Sequence, residues 1–300
     1  MDALTSLRES RPRLSPGART WVLLSPALVV IVVLFLGGVF FGIIQSLNYL
    51  PLIGQYDLNL DAYAQMLADP AFGPSLILSL WIAFAATTVS AVLAIAASLF
   101  LRQTSIGRRL GTYLFQLNLA IPHIVGAVAM LLLLSQSGLI SRLTHAVGLT
   151  PDTSSFPAIV NDRWGIAIIA EYVWKEVPFI GVVVLAALAG GTRDYEDLAR
   201  TLGAGWRQRF RHVILPFIAP GVLSTSIIVF AFSFAAYEVP FLLGQPYPAT
   251  LSVLAYLSYT NVDLNARSEA QAINVVIALI VIVLTIVYLR LSNRYVRTER

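Results

Sequence analysis

The 300-residue chain contains no cysteine and a single lysine, Lys175. The lack of cysteine excludes disulfides, thiol catalysis and cysteine-based metal sites. Because Lys175 stands between Trp174 and Glu176, the chain also lacks a Gly-x-x-x-x-Gly-Lys-Ser/Thr phosphate-binding loop. It has neither the His-Glu-x-x-His pattern of zinc hydrolases nor the Gly-x-Ser-x-Gly pattern of serine hydrolases. The sequence therefore predicts no catalytic residue, no metal ligand and no cofactor bound by this chain.

Charged residues are scarce as well. They make up 12% of the chain, whereas soluble domains carry about 25%. Hydrophobic residues account for 57%, which indicates an integral membrane protein. The net charge of +4 does not indicate a nucleic-acid partner, because most basic residues stand at the borders of long apolar runs.

Six apolar runs reach the length of about 20 residues that a membrane-spanning helix needs. Each must be helical, because backbone groups in lipid need partners within the segment. The fold prediction is an all-α polytopic protein, with a transmembrane domain over 21–291 between a short N-terminal segment (1–20) and a C-terminal tail (292–300). The first run is too long for a cleavable signal peptide. The predicted spans are Trp21–Leu47, Ser75–Leu101, Leu110–Leu134, Gly165–Ala189, Phe217–Leu243 and Ala272–Leu291.

Arginine is distributed unevenly between the two sides of these spans. Sixteen arginines fall before the first span, after the sixth, or in the connections after the second and fourth; only three fall on the other side. The positive-inside rule therefore places both termini in the cytoplasm. The cytoplasmic set is Arg8, Arg11, Arg13, Arg19, Arg102, Arg108, Arg109, Arg193, Arg200, Arg207, Arg209, Arg211, Arg290, Arg294, Arg297 and Arg300, and the other set is Arg142, Arg163 and Arg267.

Three connections fall on the opposite side. Residues 48–74 form a polar loop, with a short helix expected around 60–67. In the segment 135–164, residues 137–140 predict a turn into a short amphipathic helix. The segment 244–270 is rich in tyrosine, which suits either the interfacial aromatic belt or contact with a docking protein.

Ionisable residues also occur inside the predicted spans. Such groups are costly in lipid and tend to face a cavity or a partner. Glu171 and Lys175 are four residues apart, so they share a helix face and could neutralise each other. Glu176 and Glu238 remain as candidates for a substrate pathway. His123 is predicted to be a packed, hydrogen-bonded residue rather than a ligand.

A tetrapeptide occurs twice in these spans, as Glu176-Val177-Pro178-Phe179 and as Glu238-Val239-Pro240-Phe241. Each proline removes a backbone donor and clashes with the preceding turn. Each glutamate is therefore expected beside a broken helix, where freed carbonyls can line a cavity. Coincidence is the alternative explanation, since proline is frequent in membrane helices.

The connection after the fourth span, residues 190–216, is too polar to lie within a bilayer. It carries Asp197-Leu198-Ala199, then Gly203, then Val213, then Leu215-Pro216. This spacing resembles the conserved loop of type I ABC importer permeases, whose pattern is Glu-Ala-Ala, three residues, Gly, nine residues, Ile, one residue, Leu-Pro. Asp197, Leu198 and Val213 depart from that pattern. The alternative is an ordinary amphipathic linker.

The resemblance implies a permease fold and a helix in this loop that docks onto an ATPase. The coupling residues that it implies are Asp197, Ala199, Gly203, Leu215 and Pro216. The implied partners are an ATPase dimer that holds ATP and magnesium, a second permease subunit, expected to be a different chain, and an extracytoplasmic substrate-binding protein. The implied location is a prokaryotic inner or plasma membrane.

The run from Tyr237 to Gly244 resembles permeases of the spermidine/putrescine group and related importers of iron, thiamine and phosphonate. It adds Tyr237 to the pathway candidates beside Glu176 and Glu238, and it implies a polyamine or a similar small solute. A sugar is the alternative substrate. The alternative function is an ion-coupled transporter or channel, in which Lys175 and the two glutamates would form a relay.

Overall fold

The computed structural model describes residues 15–103, 105–152 and 154–297, and over these ranges the protein is built from helices joined by short connections. This confirms the all-α prediction. The predicted cytoplasmic arginines Arg8, Arg11, Arg13 and Arg300 lie outside the described residues. The helices are α1 (Pro16–Val30), α2 (Gly37–Ser46), α3 (Asp61–Ala68), α4 (Phe72–Leu101), α5 (Ser105–Leu119), α6 (His123–Leu134), α7 (Leu139–Ala146), α8 (Ile166–Ala189), α9 (Thr192–Thr201), α10 (Trp206–Arg209), α11 (Leu215–Ala235), α12 (Glu238–Leu243), α13 (Leu251–Tyr259) and α14 (Ala266–Arg297).

Two π-helical turns keep neighbouring helices continuous. One, Ile31–Leu36, joins α1 to α2, and the other, Phe210–Ile214, joins α10 to α11. Six helical stretches of the described chain are long and apolar enough to cross a membrane, as predicted. They are Gly17–Ser46, Phe72–Leu101, His123–Ala146, Ile166–Ala189, Trp206–Ala235 and Ala266–Arg290.

The third predicted span, Leu110–Leu134, is wrong as a single helix. The chain leaves the helix after Leu119 and resumes it at His123. Pro122 accounts for the break, because proline disfavours helical geometry in the residue before it and cannot donate to the preceding turn. The interruption divides the span into α5 and α6.

The fifth predicted span, Phe217–Leu243, is also interrupted. Helix α11 ends at Ala235, Ala236 is extended (φ −67°, ψ 138°), and α12 begins at Glu238. Had the helix continued, the ring of Pro240 would have met the carbonyl of Ala236 four residues earlier. Pro240 lies instead in the first turn of α12, where proline is tolerated.

Helix α4 forms the centre of the bundle and packs along α8 and α11. Its buried face carries small residues at intervals of three or four, which allow the backbones of neighbouring helices to approach closely. This face also makes a hydrogen bond to α8, from Ser98 Oγ to the Gly181 carbonyl (3.3 Å). The small buried residues are Ser75, Ser79, Ala83, Ala86, Ser90, Ala94 and Ser98.

The described parts of the connections predicted to lie outside the cytoplasm contain three short α-helices and one 3-10 turn, Pro51–Ile53. Helix α3 confirms the helix expected around 60–67, and α7 confirms the short helix expected after Gly138. Helix α13 was not predicted. In the loop after α7, hydrogen bonds from the hydroxyls of Ser154 and Ser155 hold the pKa of the Asp152 carboxyl below its usual value.

Candidate functional site

The break between α5 and α6 exposes backbone carbonyls at membrane depth, and Lys175 of α8 binds them. Its Nζ donates to the carbonyl oxygens of Asn118 (2.8 Å) and Ile121 (2.6 Å). Asn118 stands four residues before Pro122, so its carbonyl lacks the usual donor four residues on; it accepts instead from the Ile121 N–H (3.0 Å) and from Lys175. The ammonium group therefore lies at the carbonyl end of α5, where a positive charge is favourable.

Asn118 also returns a hydrogen bond to α8. Its side-chain amide donates to the carbonyl oxygen of Trp174 (3.3 Å), the carbonyl that Pro178 leaves without a helical donor. Helix α8 runs unbroken through Pro178, from Ile166 to Ala189. The prediction of a broken helix beside Glu176 is therefore wrong, because a side chain from α5 supplies the missing donor.

The second copy of the tetrapeptide does adjoin a broken helix, between α11 and α12. The carbonyl of Ala236 that Pro240 leaves free accepts a hydrogen bond from Ser252 Oγ of α13 (2.8 Å). Glu238 is the first residue of α12, and its side chain is exposed.

The predicted pairing of Glu171 with Lys175 does not occur, since no ion pair within 4.0 Å joins these two residues. His123 stands instead between two carboxylates. Its Nδ1 lies 3.4 Å from Glu171 Oε1, and its Nε2 lies 3.8 Å from Glu176 Oε1. The His123 ring packs on Phe232 with a centroid separation of 4.6 Å, which confirms the packing prediction. Nδ1, however, makes no hydrogen bond to the described residues.

Glu171 is completely buried behind this histidine. A Cβ added at Gly126 would lie 2.7 Å from Glu171 Oε1, so the glycine makes room for the carboxylate. Neither carboxylate oxygen has a hydrogen-bond partner among the described residues, and the fully buried hydroxyl of Tyr172 has none either. The interior of the bundle therefore contains a polar cluster, His123, Glu171, Tyr172, Lys175 and Glu176.

A cavity of about 400 Å³ opens beside this cluster. The break between α5 and α6 forms one wall, and α8 and α11 form the others. Glu176 is 6% exposed and lies at the cavity wall together with His123 and Lys175. A buried carboxylate beside an interrupted helix is an arrangement in which membrane transporters bind solutes or ions.

The three predicted pathway residues do not meet in this cavity. Tyr237 lines a different one, of about 300 Å³, together with Ser252, Tyr256 and Gln271. The Tyr237 ring stacks on Tyr256 with a centroid separation of 5.2 Å. Glu238 lines neither cavity. Of the three candidates, Glu176 alone belongs to the buried polar cluster and lines the cavity beside it.

The predicted coupling loop contains an amphipathic helix, α9. Thr192 and Glu196 face inward and are buried, whereas Leu198 and Leu202 are 60% and 81% exposed. Asp197 is exposed and lies 3.5 Å from Arg200 on the same helix. Gly203 follows the helix with a φ of +82°, a left-handed conformation that favours glycine. We name the outward apolar side of α9, formed by Tyr195, Leu198 and Leu202, the outer face.

A groove of about 650 Å³ runs between this outer face and the start of α11. Ala199 and Pro216 line it, and Gly203 lines an adjoining cavity of about 350 Å³ with Ala199. The structure therefore brings three of the five predicted coupling residues to one surface. Asp197 and Leu215 are exposed nearby on the same helices. Leu198, where the sequence departs from the family pattern, enlarges the apolar outer face.

Sequence reasoning missed one ion pair in this region. Arg102, the residue after α4, binds Glu196 through its two terminal guanidinium nitrogens, Nη1 and Nη2, at 2.6 and 3.0 Å. Arg102 was predicted as a cytoplasmic charge, but it stands 94 positions before Glu196 in the chain, and the sequence carries no signal of their pairing. Likewise, Lys175 binds backbone carbonyls, which no side-chain pattern specifies.

Residues 86–298 match the family described as "Binding-protein-dependent transport system inner membrane component". The match covers more than half of the chain, so the protein belongs to this family. It is a permease subunit of an ABC importer and a multi-pass inner-membrane protein. Family membership favours this function over the ion-coupled transporter considered as the alternative.

Two relatives are similar over nearly their whole length. The trehalose/maltose transport system permease protein MalF of Thermococcus litoralis is 25% identical over 280 residues, which cover 90% of this chain and 91% of that one. The sn-glycerol-3-phosphate transport system permease protein UgpA of Yersinia pestis is 26% identical over 308 residues, covering 97% and 99%. A solved bacterial ABC transporter involved in the import of the acidic polysaccharide alginate has the same fold, with a TM-score of 0.75, 20% identity and coverage of 92% and 96%.

Proposed function

We propose that the outer face of α9 is the docking surface for an ATPase and that the cavity beside Glu176 is part of the solute pathway. The observation that carries the proposal is the two-sided character of α9. Its inner side is buried on the bundle, while Leu198 and Leu202 expose apolar surface beside a groove. An exposed apolar patch of this kind is typical of a protein-binding site.

Docking would bury the outer face and bring Asp197 against the partner. The arginines of the following segment, Arg207, Arg209 and Arg211, would meet lipid phosphates or an acidic ATPase surface. ATP and magnesium would be held by the ATPase alone. Since the similar alginate transporter has been crystallised with a solute-bound periplasmic protein, we also propose an extracytoplasmic binding protein and a second, different permease subunit as partners.

Glu176 supplies the cavity with the carboxylate that a cationic solute would bind. The ammonium group of Lys175 is directed to the carbonyls of Asn118 and Ile121. The carboxylate of Glu176 is therefore not neutralised by it at hydrogen-bond distance and is available to a positive group. We propose a polyamine or a similar small cation as the solute.

A sugar is the second candidate. The trehalose/maltose permease aligns over 90% of this chain. In addition, the cavity at Tyr237 combines stacked tyrosines with Ser252, Gln271 and Asn274. Aromatic faces and neutral hydrogen-bonding groups are suited to an uncharged, hydroxyl-rich solute.

The test is the rate of ATP hydrolysis by the chain reconstituted in liposomes with its ATPase, second permease and binding protein. Spermidine, putrescine, trehalose and maltose are titrated in turn. We expect stimulation by a polyamine, and we expect Glu176→Gln to weaken it by about tenfold or more in the half-saturating concentration, the factor that corresponds to 1.4 kcal/mol. Glu238→Gln should weaken it less, because Glu238 lies outside the cavity.

Stimulation by a sugar alone, undiminished in Glu176→Gln, would exclude the cationic solute and favour the Tyr237 cavity. Failure of an ATPase to co-purify with the chain would contradict the proposed docking surface.

A further inference from the structure

The ion pair between Arg102 and Glu196 joins the coupling loop to the central helix of the bundle. The side chains are 14% and 9% exposed, and both terminal guanidinium nitrogens donate to the carboxylate. A two-point contact between a planar guanidinium and a carboxylate fixes orientation as well as distance. Its low exposure distinguishes it from the pair of Asp197 and Arg200, whose side chains are 69% and 65% exposed.

A second contact crosses the same joint in the opposite direction. Arg193, in the first turn of α9, donates from Nη2 to the backbone carbonyl oxygen of Arg102 (3.0 Å). The carbonyls at the end of a helix lack donors within the helix. Two side chains of α9 thus contact Arg102, the residue that caps α4. Glu196 accepts hydrogen bonds from its side chain, and Arg193 donates one to its backbone carbonyl.

The backbone connections of α9 are poorly suited to holding it in place. Gly190 and Gly191 separate α9 from α8, and Gly191 has a φ of +104°. Gly203 and Gly205 separate it from α10. Glycine has the largest conformational freedom of all residues. The orientation of α9 must therefore depend on side-chain contacts. They include the contacts of Arg102 with Glu196 and Arg193, the packing of Tyr195 on Phe217, whose ring centroids are 5.5 Å apart, and a hydrogen bond from Thr192 to the Ala187 carbonyl of α8 (3.4 Å).

Helix α4 extends from this joint to the other end of the molecule. Its 30 residues form one unbroken helix, which at 1.5 Å per residue is about 45 Å long. Near its N-terminus, Ser79 Oγ accepts a hydrogen bond from the backbone N–H of Leu251, the first residue of α13 (2.8 Å). A movement of α4 at Arg102 would therefore reach the connection that precedes α14.

We propose that Arg102 and Glu196 are positioning residues for ATP-coupled transport. They hold α9 and α4 together as one body, so that a displacement of α9 by the ATPase moves α4 and the end of the bundle that holds α13. The inference rests on the proposed docking surface, but it concerns transmission of the movement rather than binding of the ATPase.

The experiment measures two quantities in the reconstituted complex: ATPase recovered by co-purification, and ATP hydrolysed per solute imported. The double variant R102Q/E196Q removes both charges and leaves no unpaired buried charge to hinder folding. We expect it to bind the ATPase as the parent chain does. We expect ATP consumed per solute to rise by about fivefold or more, the lower end of typical coupling between sites.

The single variants R102Q and E196Q should each lose as much coupling as the double variant, because either one breaks the pair. R109Q removes an exposed arginine from the same side of the membrane and should leave coupling unchanged. Should the single variants fail to fold, the double variant decides the question.

An unchanged ATP-to-solute ratio in R102Q/E196Q would overturn the inference, and so would losses in the single variants that add up in the double variant. Loss of ATPase binding in R102Q/E196Q would overturn it too, since the pair would then act in docking. If the parent chain itself recovers no ATPase, the proposed docking surface fails instead.

Discussion

Single side chains replace the backbone donors that prolines remove from this membrane protein. Lys175 binds the Asn118 and Ile121 carbonyls at the break before Pro122, and the Asn118 amide binds the Trp174 carbonyl that Pro178 leaves free. In the same way, Ser252 binds the Ala236 carbonyl freed by Pro240. Water is absent from the bilayer core, so an unpaired carbonyl there costs several kcal/mol. At Pro122, Pro178 and Pro240 a side chain from another helix therefore satisfies a carbonyl beside the proline, whereas at Pro26 the donor to the Val22 carbonyl is Ser25 of the same helix (2.9 Å).

Lys175→Met tests this role at the residue scale. The variant leaves the Ile121 carbonyl without its donor, and an unsatisfied buried group costs about 1–3 kcal/mol. We expect a lower Tm for the purified protein in detergent. Lys175→Arg, which keeps charge and donors, should lose less.

A double variant separates this explanation from the pairing with Glu171 that the sequence predicted. If Lys175 served to neutralise Glu171, K175M/E171Q would recover the stability lost in K175M. The hydrogen bonds to Asn118 and Ile121 predict that it does not. Recovery to the parent Tm would contradict the assignment.

Elements of identical sequence adopt different structures in this chain. Glu-Val-Pro-Phe lies within an unbroken helix in α8, whereas it starts a new helix in α12. Helix α8 packs against α4, α5, α6 and α11, and half of its most apolar stretch is buried. These neighbours keep α8 continuous over Pro178. Local sequence specifies that a carbonyl is freed, but packing decides whether the helix breaks.

The end of α9 provides a prediction at the element scale. Gly203→Val places a β-branched residue at a φ of +82°, although no atom lies within 4 Å of the added Cβ. The left-handed conformation costs such a residue about 1–2 kcal/mol. Relief of this strain should move the loop and with it the docking surface. We therefore expect less solute to be transported per ATP hydrolysed, with normal membrane insertion.

Gly148→Val is the matched control. Gly148 has a φ of +73° and equally open surroundings, but it follows α7 in a connection predicted to lie outside the cytoplasm. Valine at this position imposes the same backbone strain at a site remote from α9. Equal transport losses in the two variants would show that strain alone, rather than the position of α9, explains the effect.

The whole molecule presents two kinds of surface. Helices α4, α8 and α11 form the packed centre, whereas the most apolar stretch of the first span, within Gly17–Ser46, has no buried residue. Such a surface faces lipid or another membrane subunit. The orientation of the bundle remains a prediction from the arginine distribution, although Arg102 does meet the coupling loop, as residues on one side of the membrane must.

The absence of cysteine allows that orientation to be tested directly. Single cysteines replace Leu202 in the coupling loop and Leu149 after α7, which are 81% and 76% exposed. With a membrane-impermeant maleimide, we expect Leu149→Cys to be labelled in right-side-out vesicles and Leu202→Cys only in inside-out vesicles. The parent chain provides the unlabelled control. The reverse pattern would contradict the predicted topology.

The sequence by itself determined the class of protein, the number of spans and the family. Hydropathy specifies spans because lipid accepts long apolar helices, and the spacing from Asp197 to Pro216 identified the family that residues 86–298 match. The tertiary structure decided which helices break, where Lys175 directs its charge, and that Glu196 rather than Asp197 is bound to the bundle. These features depend on contacts between residues distant in the chain, such as Arg102 with Glu196. A linear pattern does not encode such contacts, because their energy arises only when packing brings the groups together.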